Sequence, residues 1–257
     1  MQITEIYKSL QGESTYAGLP CVFVRFTGCN LRCTWCDSEF SFYGGRKMSL
    51  EEVLAEVDRL SPCGADLPRA TAERTHARQS PPECGAGTLA RVSPTLIEIT
   101  GGEPMLQEGE AIPLMERLLA VGYKVLLETS GERPLARVPQ QVVKIVDVKC
   151  PHSGEPGTFA IENLDALEPH DEVKFVLTDR TDYEFARDFV HKHRLAERVH
   201  AILFSPAFKK DASGARDASH CLLDPGKLAQ WILADNLPAR LSLQIHKFIW
   251  DPAAKGV

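Results

Sequence analysis

Val22-Phe23-Val24-Arg25-Phe26-Thr27-Gly28-Cys29-Asn30-Leu31-Arg32-Cys33-Thr34-Trp35-Cys36 decides how the rest of the chain is read. Val22–Thr27 is rich in β-branched and aromatic residues and reads as a short strand ending at Gly28. The loop after it carries Cys29, Cys33 and Cys36 as Cys-x3-Cys-x2-Cys. Three readings of these thiols compete. A disulfide leaves one thiol over and needs an oxidising compartment. The start of the chain shows no basic region followed by an apolar stretch that would export it. A structural zinc site wants four closed ligands, and no second Cys or His pair stands at finger spacing. An iron–sulfur cluster takes thiolates as its standard ligands; three in one loop would leave one iron of a four-iron cluster open to a further ligand.

Outward from this loop, strands and helices alternate. Ser49-Leu50-Glu51-Glu52 is a capping box opening a helix that carries Leu50, Val53, Leu54, Val57 and Leu60 and stops at Pro62. Leu96–Thr100 reads as a strand closed by Gly101-Gly102, and Ile112 to Val121 as a helix. Tyr123–Leu127, Val142–Val148, Glu172–Leu177, Val199–Phe204 and Leu241–Ile245 read as further strands. Thr181-Asp182-Tyr183-Glu184 reads as a second capping box, and Asp224-Pro225 as another helix start. The pattern predicts an α/β fold with mainly parallel strands, about seven of them, in an open or partial barrel. Polar motifs follow the strands: Thr100-Gly101-Gly102-Glu103, Glu128-Thr129-Ser130-Gly131, Asp147-Val148-Lys149 and Ser205-Pro206. One pocket fed by several strand ends would produce that arrangement.

The 257 residues read as a single domain, 1–257, with a loop insertion at about 61–94, where Pro62, Pro68, Pro81, Pro82 and Pro94 cluster with glycines. Hydrophobic residues make up 44% and charged residues 25%, the balance of a soluble globular protein. No apolar run is long enough to span a membrane, and a cytoplasmic location is expected. Net charge is 29 − 35 = −6 with no basic block, so a nucleic-acid partner held by bulk electrostatics is not expected. Cys21, Cys63, Cys84, Cys150 and Cys221 match no ligand spacing and read as small buried hydrophobes or incidental thiols.

Cys29-Asn30-Leu31-Arg32-Cys33-Thr34-Trp35-Cys36 resembles the signature of the radical S-adenosylmethionine (SAM) superfamily, and Gly101-Gly102-Glu103-Pro104 resembles its SAM-binding glycine motif. Ser9-Leu10-Gln11-Gly12-Glu13-Ser14, Val24 to Leu31, Cys36-Asp37-Ser38, Glu128-Thr129-Ser130-Gly131, Asp147-Val148-Lys149-Cys150-Pro151 and Leu243-Gln244-Ile245-His246-Lys247 resemble the 7-carboxy-7-deazaguanine synthase family. The resemblance covers nearly the whole chain apart from 61–94. It implies an incomplete radical-SAM β/α barrel, commonly a homodimer. The implied enzyme is a lyase converting 6-carboxy-5,6,7,8-tetrahydropterin to 7-carboxy-7-deazaguanine with loss of ammonia, on the route to queuosine and related deazapurines. The implied cofactors are a 4Fe-4S cluster on Cys29, Cys33 and Cys36, SAM chelated to its open iron and cleaved to a 5′-deoxyadenosyl radical, and Mg2+. A flavodoxin-like protein is the implied reductant.

Site residues follow from the same resemblance. SAM is assigned Trp35, Thr100, Gly102, Glu103, Ser130, Lys149 and Ser205, with Glu103 accepting from the SAM ammonium and Trp35 packing by the adenine. The pterin is assigned Gln11, Gly12, Glu13, Arg25, Gln244 and His246, the last two at the end of the last strand. Gln11 and Glu13 suit the pyrimidine edge, and the planar fork of Arg25 suits a carboxylate. Ser38 is assigned to Mg2+, with Asp37 orienting the shell. No catalytic side chain is assigned beyond the cluster and SAM. By residue type alone, Gln11-Gly12-Glu13 reads as a turn, Arg25 as an ion-paired arginine, Ser38 as a loop hydrogen-bonder, His246 as structural and Trp35 as a core aromatic. The alternatives are another radical-SAM enzyme, such as a glycyl-radical activase, or a zinc-binding module without catalysis.

Overall fold

The structure is a computed structural model that describes residues 1–61, 95–209, 218–251 and 256. The described residues form one nine-stranded sheet. Its strands are β1 (Gln2–Leu10), β2 (Pro20–Phe26), β3 (Arg46–Lys47), β4 (Leu96–Gly101), β5 (Lys124–Thr129), β6 (Val143–Asp147), β7 (Glu172–Leu177), β8 (Ala201–Pro206) and β9 (Arg240–Leu241). They lie in the order β3-β1-β2-β4-β5-β6-β7-β8-β9. Every pair from β2 to β9 is parallel. At the other edge β1 runs antiparallel to β2, and β3 antiparallel to β1. The sheet is not closed, so the open α/β architecture with mainly parallel strands is borne out. The expected seven strands rise to nine because β1 and β3 extend the edge beside β2.

The helices are α1 (Leu50–Leu60), α2 (Glu108–Val121), α3 (Arg180–Lys192), α4 (Pro225–Ala234) and α5 (His246–Ile249). The capping box at Ser49 and Glu52 forms in both directions, and Asp224 caps α4 by accepting from Lys227 N. Two expectations are corrected. The cap of α3 is Asp179, which accepts from the N–H groups of Thr181 and Asp182, so Thr181 lies inside the helix. Asp182 is drawn elsewhere: its carboxylate accepts from Thr178 and from His152 N. The last strand is only Arg240–Leu241, and Gln244 and His246 lie beyond it. Ile245 N donates to Gly12 O at 2.9 Å, which pulls this segment off the sheet and starts α5. Of the loop expected at 61–94, Ser61 caps the end of α1 and 62–94 lie outside the described residues.

Strand alternation sorts the side chains. Ile97 and Ile99 of β4 pack with Val53, Val57, Leu114 and Leu118 of α1 and α2. Phe175 of β7 and Phe204 of β8 pack with α3 and α4. Each such side chain contributes about 1.5–3 kcal/mol by leaving water. On the other face, Tyr16 packs near the N-terminal ends of the parallel strands, against Cys21, Phe23, Leu96, Leu126, Val143 and Ile145. Beside it Thr15 bonds Glu172. This leaves polar residues to line the C-terminal half of the same face. No helix among the described residues is long and apolar enough to cross a membrane.

Candidate active site

The C-terminal ends of β2, β4, β5, β6 and β7 open into a cavity of about 260 Å³, room for a small ring compound rather than a lone ion. At one end lies the Cys29–Cys36 loop. Its position follows from two glycines. Gly101 has φ +148°, and a Cβ there would stand 2.3 Å from Phe26 O. A Cβ on Gly102 would stand 2.2 Å from Gly28 O and 2.9 Å from Cys29 Cβ. The backbone therefore closes up, with Glu103 N donating to Gly28 O at 2.8 Å. What the bare Gly102 accommodates here is the cysteine loop. From the other side Thr34 N donates to Ser153 O at 2.8 Å, in the loop after β6.

Cys29, Cys33 and Cys36 are free, half-buried and line the cavity together. Burial pushes their thiols up, that of Cys36 to about 11. Among the described residues, the one group of His, Cys, Asp or Glu ligand atoms all within 4.8 Å of one another is His152, Asp179 and Asp182. Three thiols on one loop are one ligand short of a closed zinc site, whereas on a four-iron cluster they leave one iron open.

Glu103 lies beside this loop, 1% exposed. Its Oε1 accepts from Met105 N at 3.0 Å and Thr129 Oγ1 at 2.8 Å. Its Oε2 accepts from Ser130 N at 2.8 Å and Ser130 Oγ at 2.7 Å. The carboxylate thereby joins the C-terminal ends of β4 and β5 and holds Ser130 at the rim. Lys149 Nζ donates to Asp147 Oδ2 at 2.9 Å; burial disfavours its charge, but Asp147 more than restores it. Asp147 Oδ1 is buried without a partner among the described residues. Trp35 and Thr100 complete this half. Ser205 does not line the cavity. It is buried on β8, and its register neighbour Val176 on β7 lines the wall at that level.

The opposite half gathers Gln11, Gly12, Glu13, Arg25, Ser38, Gln244 and His246. Arg25 is already held: Nε donates to Glu5 Oε1 at 2.9 Å, Nη2 to Tyr7 OH at 3.0 Å and Nη1 to Ser38 Oγ at 3.4 Å. Ser38 Oγ donates to Asp37 Oδ1 at 3.0 Å, and Asp37 Oδ2 pairs with Lys247 Nζ at 2.8 Å. Gln11 Oε1 accepts from Glu13 N at 2.9 Å, and its Nε2 donates to Glu98. Gln11 thus braces the loop rather than standing free to read a ligand edge. Gln244 Nε2 donates to Glu13 Oε1 at 2.8 Å. A Cβ on Gly12 would fall 2.1 Å from His246 Nδ1, so only glycine lets α5 close on this loop.

Sequence reasoning missed most of the floor: Glu128 belongs to one of the strand-end motifs, but Glu98 and Lys174 were not singled out. Glu98 on β4, Glu128 on β5 and Lys174 on β7 point into the cavity. Lys174 Nζ donates to Glu13 Oε2 at 2.8 Å and to Glu128 Oε1 at 2.5 Å. Burial, then Glu128 and Glu13, push Glu98 up to about 8; burial chiefly pushes Glu128 up to about 7. Burial acts the same way on Glu13, but Lys174 and then His246 overcome it and hold that carboxyl at about 2. The available signal was an ionisable residue between apolar neighbours on a buried strand, Ile97-Glu98-Ile99 and Val173-Lys174-Phe175.

No family model matches the chain. Over 257 residues, covering all of both chains, it is 62% identical to the 7-carboxy-7-deazaguanine synthase of Koribacter versatilis. It is 35% identical over 260 residues to that of Chlorobaculum tepidum, covering 100% of this chain and 97% of the relative. Among solved structures, QueE from Escherichia coli shares the fold at a TM-score of 0.60 and 20% identity, over 94% of this chain and 92% of that one. At 62% and 35% identity to these relatives along its full length, the chain belongs to the 7-carboxy-7-deazaguanine synthase family.

Proposed function

We propose that this chain is a radical-SAM carbon–nitrogen lyase that converts 6-carboxy-5,6,7,8-tetrahydropterin to 7-carboxy-7-deazaguanine with loss of ammonia, on the route to queuosine and related deazapurines. The observation that carries this reading is a single cavity with two unlike halves: three thiols beside a glycine turn at one end, and a lysine ringed by carboxylates at the other. The full-length likeness to 7-carboxy-7-deazaguanine synthases supports the same conclusion.

A 4Fe-4S cluster with SAM would supply a hydrogen-abstracting radical. Cys29, Cys33 and Cys36 would hold the cluster, and Trp35, Thr100, Gly102, Ser130 and Lys149 would frame SAM. Glu103 serves through its bonds to Thr129 and Ser130. Glu13 and Glu128 offer acceptors to the ring N–H groups of the pterin, and Arg25 and Ser38 face its carboxylate side, where Ser38 would contribute to binding Mg2+. On the same reading the enzyme works in the cytoplasm as a homodimer and takes its electron from a flavodoxin-like reductant.

The test is anaerobic cluster reconstitution followed by reductant, SAM, Mg2+ and the carboxytetrahydropterin, with the product read by mass spectrometry. Formation of 7-carboxy-7-deazaguanine is the expected result. Cleavage of SAM without that product overturns the substrate, and a cluster-loaded protein that does neither overturns the radical-SAM reading.

A further inference from the structure

Lys174 stands mid-strand between Val173 and Phe175, which face the helix-side core, so alternation turns it into the cavity. Its side chain is 6% exposed. An ammonium this deep needs fixed partners, and it has carboxylates from three parts of the chain. They are Glu13 from the loop after β1 at 2.8 Å, Glu128 from β5 within hydrogen-bond reach, and Asp147 from the end of β6 at 3.9 Å. The far oxygen of Glu13 is held by Gln244, and its backbone N–H by Gln11, which is braced in turn by Glu98. Glu13 and Glu128 are thus acceptors from distant parts of the chain, joined through one donor.

We propose that Lys174 is a positioning residue whose ammonium clamps Glu13 and Glu128 as a matched pair of hydrogen-bond acceptors for the ring N–H donors of the substrate. This rests on the pterin reading above. A cyclic guanidine-like edge offers donors beside a carbonyl, and two carboxylates flanking an ammonium are its complement. The groups facing Glu13 are Lys174 from β7, Glu128 from β5, Glu98 from β4, Asp37, and His246 beside Gly12. Without Lys174, carboxylates dominate this set. Glu13 would then take up a proton and present a donor to a donor.

The test is the pH dependence of KM and kcat for the carboxytetrahydropterin in the reconstituted holoenzyme. Wild-type KM should rise only as Glu128 takes up its proton near pH 7 and level off below about pH 6, because Glu13 remains ionised there. Lys174→Met should raise KM about tenfold or more at about pH 8, and further as pH falls, as the ionised fraction of Glu13 shrinks. Lys174→Arg keeps the cation and should keep the wild-type profile. Gln244→Leu removes only a neutral donor and should raise KM equally at every pH. A rise over wild type that is the same at every pH in Lys174→Met marks a merely structural role and overturns the proposal, as does a KM within about threefold of wild type. If Lys174→Met fails to fold, a Lys174→Arg profile that keeps rising below about pH 6, unlike wild type, overturns it. A wild-type enzyme that cleaves SAM but spares the pterin removes the substrate reading and the clamp's ligand with it.

Discussion

Replacing Glu103 by Gln should destabilise the protein far more than its place at a cavity rim suggests. Its carboxylate accepts four protons from three residues, two on each oxygen. Glutamine keeps one acceptor oxygen. The hydroxyls of Thr129 and Ser130 can turn away, but the backbone N–H groups of Met105 and Ser130 cannot. Whichever way the amide faces, at least one buried N–H meets another N–H. A buried donor left without a partner costs about 1–3 kcal/mol. The surviving bonds lose their charge assistance, worth about 1 kcal/mol each. With two bonds surviving on the remaining oxygen, the sum is about 3–5 kcal/mol, a large share of the ~5–15 kcal/mol that holds a domain together. Urea denaturation of cluster-free wild type and Glu103→Gln, followed by circular dichroism, reads the difference directly. A loss below about 1 kcal/mol would refute the view of Glu103 as the tie between β4 and β5.

Gly12→Ala would place a Cβ 2.1 Å from His246 Nδ1, so α5 must shift. The expected result is a cost of about 1–3 kcal/mol with a raised KM, and wild-type values in both would show that α5 does not seal the site. Cys33→Ala should lose the iron and sulfide of the reconstituted protein; full retention would remove Cys33 from the ligand set. Stability should also depend on pH. Glu98 and Glu128 hold their protons to about 8 and about 7 in the folded protein, above the usual carboxylate range. That contribution is fully present at low pH and is lost as pH rises through these values. The cluster-free protein should therefore weaken between about pH 5 and 8, and Glu98→Gln should exceed wild type at about pH 9. A Glu98→Gln profile parallel to wild type would contradict this origin.

Much of the architecture was legible because its causes are local. The capping box at Ser49, the Asp224-Pro225 start and the apolar spacing of α1 act over a turn or two. The thiols and glycines were legible as motifs. What escaped depends on distant partners. Lys144 and Lys174 look alike in sequence, each a lysine among apolar neighbours on a buried strand. Lys144 closes a buried pair with Asp171 at 2.8 Å, whereas Lys174 faces the cavity. Only the register of β5, β6 and β7 separates the two. Likewise Leu243–Ile245 has strand-like composition, but the bond from Ile245 to Gly12 overrides it. Asp179 displaced Thr181 as a cap because a carboxylate in an extended residue outcompetes a hydroxyl two residues later.

The contact between Gln244 and Glu13 joins positions 231 residues apart. Closing so long a loop is slow and is rewarded only once the sheet between them exists. This side of the pocket is therefore finished only after the sheet between them. While the chain is being made, its cysteine loop and glycine turn can come together well before Gln244 leaves the ribosome. An interrupted chain that lacks α5 would carry the thiols beside an unfinished cavity. Because the closing contact reaches back across 231 residues, competence to bind substrate waits on the arrival of α5.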